Sequence, residues 1–126
     1  MRSVDTNVLV RLIARDDLKQ VAAAEKFISK GAWVSHLVLA ETLWVLESVY
    51  ERTPAQLAMV VEMLLAHQEI VLQEPETVSF ALELFRERPR IGFSDCLILE
   101  IARKAGHVPL GTFDRRFSKV HGANLI

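Results

Sequence analysis

The chain has 126 residues and a mass of 14.2 kDa, which is the size of one domain. With 51% hydrophobic residues, five glycines and four prolines, its composition excludes a disordered or collagen-like protein. The net charge is −1. No apolar run is longer than the five residues 57–61, which excludes a transmembrane helix. The single Cys96 excludes an internal disulfide framework and a cysteine-based zinc site. We therefore expect a single cytoplasmic domain over residues 1–126.

Short apolar runs alternate with longer segments of helical period along the whole chain. In chain order, the pattern predicts strand 2–5, helices 6–14 and 18–29, strand 32–34, helix 36–50, a helix opening at Thr53-Pro54, strand 70–72, helices 75–88 and 94–105, and strands 108–110 and 123–125. Short apolar strands separated by helices indicate a parallel sheet that is covered by helices. Functional residues in such sheets follow the carboxyl ends of the strands.

Four acidic residues lie in apolar company. Asp5 closes the first predicted strand, and Glu41 interrupts a helix that is apolar almost all round. Asp95 shares a helix face with apolar residues three, four and seven positions further on, and Asp114 follows the fourth strand. Only Asp114 has a basic neighbour, Arg115. Burying an unpaired carboxylate costs several kcal/mol, by order of magnitude, unless a partner or a metal neutralises it.

A hard divalent cation would neutralise such a cluster, because Mg²⁺ and Mn²⁺ prefer carboxylate oxygens. Without these four acids the formal charge of the chain is +3, which suits a phosphate polymer. Each acid also has a simpler interpretation, except Glu41, whose apolar helix offers no capping role. Asp5 is in the position of a turn former, Asp95 of a first-turn acid that the helix dipole favours, and Asp114 of a cap on a short helix at 115–119.

The four acids lie in motifs that resemble those of the PIN domain family, and most closely the VapC toxins of bacterial and archaeal toxin–antitoxin pairs. The motifs are VDTNVL at 4–9, SHLVLAE at 35–41, FSDCLI at 93–98 and TFD at 112–114. The resemblance implies a five-stranded parallel sheet in a three-layer α/β/α sandwich. It also implies Mg²⁺- or Mn²⁺-dependent hydrolysis of RNA, a homodimer and a VapB-like antitoxin as partner.

This resemblance assigns catalysis to Asp5, Glu41, Asp95 and Asp114. We expect Asp5 and Asp95 to be direct metal ligands, and Glu41 and Asp114 to act through a second metal, a metal-bound water or general-base catalysis. The neighbouring polar residues would orient the carboxylates, contact the phosphate, or simply cap helices and turns; they are Asn7, Ser94 and Thr112. Two basic clusters are candidates for RNA binding and comprise Arg86, Arg88, Arg90, Arg115 and Arg116, with Lys119 beside them.

Two other classes of acidic α/β protein fit the sequence less well. A response-regulator receiver domain would need an acceptor Asp after the third strand, and a haloacid-dehalogenase-like phosphatase would need an acid where Asn7 stands. A PIN-like module that binds RNA or protein without cutting it is the remaining alternative. We expect Cys96 to be a core residue, and Trp44 to lie in the core, a dimer face or an antitoxin groove.

Overall fold

A computed structural model describes residues 1–126. The elements are β1 (Arg2–Ser3), α1 (Thr6–Ala14), α2 (Leu18–Ile28), β2 (Ala32–Val34), α3 (His36–Ser48), α4 (Pro54–Ala66), β3 (Ile70–Leu72), α5 (Pro75–Glu87), α6 (Phe93–Ala105), β4 (Leu110–Thr112) and β5 (Ala123–Leu125). Two short 3₁₀ helices cover Pro89–Ile91 and Phe117–Lys119. None of the helices has both the length and the apolar character that crossing a membrane requires.

Local side-chain caps explain where the first four helices begin. Asp5, Asp17 and Ser35 each accept a hydrogen bond from the backbone N–H three residues further on, which starts α1, α2 and α3. Thr53 and Gln56 form a reciprocal capping box at the start of α4. These starts confirm the helices predicted at residues 6, 18, 36 and 54.

Three of the five predicted strands have the predicted bounds, and the other two are displaced. β1 ends at Ser3 because the chain has left the strand at Asp5, which caps α1. β4 begins at Leu110 rather than at residue 108, since Pro109 has no N–H to donate to a ladder. The first ladder bond of this strand is donated by the Leu110 N–H to the Gly122 carbonyl, over 2.8 Å.

The strands form two parallel sheets, with the orders β1-β2-β3 and β4-β5. The parallel pairing confirms the predicted α/β class, but the prediction of one five-stranded sheet is wrong. β1 is the shortest strand, and it contributes only the pairs Arg2↔Ala32 and Ser3↔Trp33 to its sheet. The predicted three-layer sandwich and the single domain over residues 1–126 stay predictions.

The chain divides into two compact units, which we call the N-terminal unit (Met1–Pro75) and the C-terminal unit (Glu76–Ile126). In the N-terminal unit, α1 packs against α2 and α3, and α4 packs against β3. Its fully buried side chains include Leu9, Leu39 and Leu46. In the C-terminal unit, Phe85 and Phe93 are buried and meet edge to face, with their ring centroids 5.9 Å apart.

Candidate active-site carboxylates

Asp5 lies on the short connection between β1 and α1. Its Oδ1 accepts a hydrogen bond of 3.1 Å from the Val8 N–H, and the residue is exposed to solvent. The carboxylate therefore has a local role as the N-cap of α1, which is related to the turn-forming role considered for it. This bond uses one carboxylate oxygen, and Oδ2 makes no hydrogen bond.

A surface cleft of about 520 Å³ opens beside Asp5. It lies between β1, β2 and the starts of α1 and α3, and its lining comprises Ser3, Val4, Asp5, Val8, Phe27, Trp33, Ser35 and Val38. Phe27 and Trp33 are not among the residues that the sequence predicts to be functional. The signal for Trp33 was present, because it alternates with Ala32 and Val34, which are buried in β2 while Trp33 is not.

Glu41 is exposed on α3, and it makes no hydrogen bond or ion pair. The expectation that its carboxylate is removed from water is therefore wrong. Leu37 and Trp44, one turn before and after it, are 69% and 63% exposed, so this stripe of the helix faces solvent although it is apolar. Sequence could not separate this stripe from the buried one, because both carry large apolar residues.

Asp95 lies in the first turn of α6 and is half-buried. It makes no hydrogen bond or ion pair, and α6 begins after Gly92 without a side-chain cap. Burial raises the pKa of this carboxyl above its usual value, and the negative charge of Asp114 raises it further. Among the four acids, only Asp95 is partly removed from water, so only its carboxylate carries the energetic cost of burial that the sequence predicts.

Asp114 follows β4 and holds the turn after it. Its Oδ1 accepts hydrogen bonds from the N–H groups of Arg116, at 2.8 Å, and Phe117, at 3.1 Å. Its own N–H donates to the Thr112 hydroxyl over 3.0 Å. Asp114 therefore holds the turn that leads into the 3₁₀ helix Phe117–Lys119, whose N-cap is Arg116 and not Asp114, and Thr112 supports the turn that carries the carboxylate.

Within the C-terminal unit, the structure brings two of the predicted acids together. Asp95 and Asp114 are close enough for one charge to act on the other. However, no three His, Cys, Asp or Glu side chains in residues 1–126 form a group that could hold a metal ion. The donors themselves fit a hard divalent cation, since Asp95 has no competing partner and Asp114 uses only one oxygen in its turn.

The remaining predicted residues are placed as follows. Asn7 is exposed in the first turn of α1, Ser94 is half-buried in the first turn of α6, and neither side chain makes a hydrogen bond. The arginines proposed to bind RNA are all exposed and all belong to the C-terminal unit: Arg86, Arg88, Arg90, Arg115 and Arg116.

Cys96 is fully buried, and burial raises its pKa to about 12, which confirms it as a core residue.

Comparison with known protein families identifies the family to which the chain belongs. The family model described as PIN domain matches residues 3–123, so the chain belongs to the PIN domain family. PIN domains are commonly nucleases, and PIN nucleases generally use divalent metals. No curated protein and no solved structure matches the chain significantly.

Proposed function

We propose that this chain is a Mg²⁺- or Mn²⁺-dependent endoribonuclease, and that it is the toxin of a VapC-like toxin–antitoxin pair. The observation that carries the proposal is the Asp95–Asp114 pair in a chain of the PIN family. Asp95 is half-buried with no hydrogen-bond donor and no cation beside it, and the charge of Asp114 acts on it. Such a carboxylate is typical of a functional site, because its environment favours neutralisation by a proton or a metal.

In this proposal the four carboxylates act in one reaction, with Asp5 and Asp95 holding the cation. When bound, the cation supplies charge neutralisation at the phosphate and lowers the pKa of water. Glu41 has no competing partner, so its carboxylate is available to accept a proton from the attacking water. Asp114 keeps one oxygen outside its turn, and Thr112 holds that turn in place.

The exposed arginines would bind the phosphates on either side of the cut. Arg115 and Arg116 directly follow Asp114, and Arg90 precedes Asp95 by five residues, so both clusters adjoin a proposed catalytic residue in sequence. Arginine donates several hydrogen bonds from a planar group, which suits phosphate oxygens. Contacts of this kind position the RNA without reading its bases.

The finer assignment, a toxin with a VapB-like antitoxin, rests on the resemblance of the motifs to VapC proteins. We further propose that the chain forms a homodimer. The exposed apolar side chains of Leu37 and Trp44 on α3 support a protein interface, since large apolar side chains that share a stripe of exposed helix often mark one.

A second candidate is a PIN-like module that binds RNA or protein without cutting. The observation in its favour is that no group of three metal-ligating side chains forms in the chain. Incubation with Mn²⁺ separates the two functions, because a binding module would leave the RNA intact whereas the nuclease would cut it.

The experiment is to incubate total RNA with the purified protein and Mn²⁺, and to sequence the newly formed 5′ ends. The matched control is Asp95→Asn, purified in the same way, which removes the charge and keeps the size of the side chain. We expect discrete cut sites with the unmodified protein that are absent with Asp95→Asn or EDTA. Cut sites that are the same in all three samples, or no cut sites at all, would contradict the proposal.

A further inference from the structure

We propose that the cleft beside Asp5 is a nucleobase pocket, in which one unpaired base of the RNA stacks on Trp33. This inference deepens the proposed function, and it rests on that function for the role of Asp5. It defines the substrate as single-stranded at this nucleotide, because a base in a duplex is not free to leave its own stack.

An aromatic residue is exposed in the middle of the parallel strand β2. Trp33 is 37% exposed, although Ala32 and Val34 on either side of it are buried and the strand is paired on both sides. Its ring lines the cleft that also contains the Asp5 carboxylate. The cleft volume of about 520 Å³ falls within the range of about 300–1,000 Å³ that is usual for small-molecule sites.

Of the two aromatic residues that line the cleft, Phe27 has a cation over its ring and Trp33 has none. The guanidinium of Arg2 lies over the ring of Phe27, with its central carbon 3.6 Å from the ring centroid. Trp33 makes no ring stack and no cation–π contact. Trp33 is therefore the ring available to stack on a base, while Arg2 places a positive charge beside the cleft for a backbone phosphate.

Part of the lining of the cleft is polar. Ser3 and Ser35 both border the cleft. The Ser35 oxygen accepts a hydrogen bond from the Val38 N–H, so its hydroxyl proton is still available to a base edge. An apolar helix of a protein partner would fit this lining less well, because it would take the Asp5 carboxylate out of water without a partner.

The test uses the two tryptophans of the chain. In a Trp44→Phe variant, Trp33 is the only tryptophan, and its fluorescence reports the cleft directly. The variant is titrated in EDTA, to prevent cutting, with a uridine hexaribonucleotide and with an abasic hexamer of the same length and charge. We expect saturable quenching by the uridine oligomer and none by the abasic one at equal occupancy of the protein.

Affinity is then compared between variants. Trp33→Ala should bind the uridine oligomer about 5- to 100-fold more weakly, which corresponds to the loss of one stacked base. Val71→Ala is the control, since Val71 pairs with Trp33 in the sheet and is exposed but does not line the cleft. Trp33→Phe, which keeps a ring, should retain most of the affinity. If Trp33→Ala fails to fold, the quenching titration decides alone.

The outcomes separate this inference from the proposed function. Base-dependent quenching supports the pocket even if the protein cuts no RNA, in which case only the proposed function fails. Equal quenching by both oligomers, or no quenching by either, overturns the pocket even if RNA is cut. Quenching by an amphipathic peptide and not by the uridine oligomer overturns it in favour of a protein groove.

Discussion

The two units of the chain differ in charge and in the state of their acidic residues. The N-terminal unit has seven basic and ten acidic residues, a net charge of −3, whereas the C-terminal unit has eight basic and six acidic residues, a net charge of +2. Asp5 and Glu41 of the former and Asp114 of the latter are exposed, while Asp95 of the latter is half-buried and unpaired. Acids that share one proposed function therefore carry different energetic costs, so mutations should separate function from stability.

The largest expected effect is on cleavage by Asp95→Asn. We expect activity with Mn²⁺ to fall by at least about 100-fold, because the substitution removes a charge proposed to hold the cation. Glu83→Gln in α5 is the matched control, since Glu83 is an exposed acid of the same unit that makes no hydrogen bond or ion pair. Initial rates on one RNA fragment measure both variants, and near-normal cleavage by Asp95→Asn would remove it from the site.

The second prediction concerns the charge difference between the units. Replacing Arg115 and Arg116 by alanine should lower the slope of log binding constant against log salt by about one for each lost phosphate contact. Replacing the exposed Lys19 and Lys30 of the N-terminal unit should leave the slope unchanged. Titrations of single-stranded RNA in EDTA at several salt concentrations give these slopes. Equal slopes for the two double variants would show that RNA does not prefer the C-terminal unit.

The third prediction separates the two acids that accept hydrogen bonds from backbone N–H groups, Asp5 and Asp114, from Glu41, which accepts none. Asp5→Ala and Asp114→Ala should each lower the free energy of unfolding by about 1 kcal/mol, because each removes an acceptor from backbone N–H groups. The asparagine variants at these positions should keep most of that stability, since the side-chain oxygen of asparagine also accepts hydrogen bonds from backbone N–H groups. Glu41→Gln should be neutral. Urea unfolding in EDTA measures all of them, and a large loss for Glu41→Gln would mean that it has a structural partner.

The smallest expected effect is a pH dependence that belongs to Asp95. Because its pKa in the folded chain is raised above 3.8, the folded chain holds this proton more tightly than the unfolded chain does. Stability from this group is therefore present below pH 3.8 and is lost as the pH rises through the raised pKa. In EDTA, the stability of Asp95→Asn relative to the unmodified protein should increase between pH 4 and pH 7. A difference that does not change with pH would contradict this.

Much of the fold could be predicted because its signals are local. A capping side chain and the apolar periodicity after it determine where α1 to α4 begin, and the bounds of β2, β3 and β5 follow from short apolar runs. The division into two sheets could not be predicted. Strand pairing joins segments that are distant in the chain, and the local periodicity of each segment carries no information on which strands pair.

The sequence names candidate residues for the site, which stay predictions, but it does not predict the environments of their side chains. The sequence around Glu41 is apolar in every direction, so periodicity could not say that Leu37, Glu41 and Trp44 lie on the exposed side of α3. Asp95 was placed correctly on an apolar face, because the buried Leu99 lies one turn away from it. Trp33 was missed because a single aromatic residue in a three-residue strand is more often a core residue.

The most direct test of the central claim is metal-induced stabilisation, since it needs no knowledge of the RNA target. The midpoint of thermal unfolding is measured with EDTA and with added Mn²⁺ for the unmodified protein, Asp95→Asn and Glu83→Gln. An ion that binds only the folded chain raises the midpoint. We predict a rise for the unmodified protein and Glu83→Gln, and little or none for Asp95→Asn. An equal rise in all three would show that Asp95 does not hold the metal.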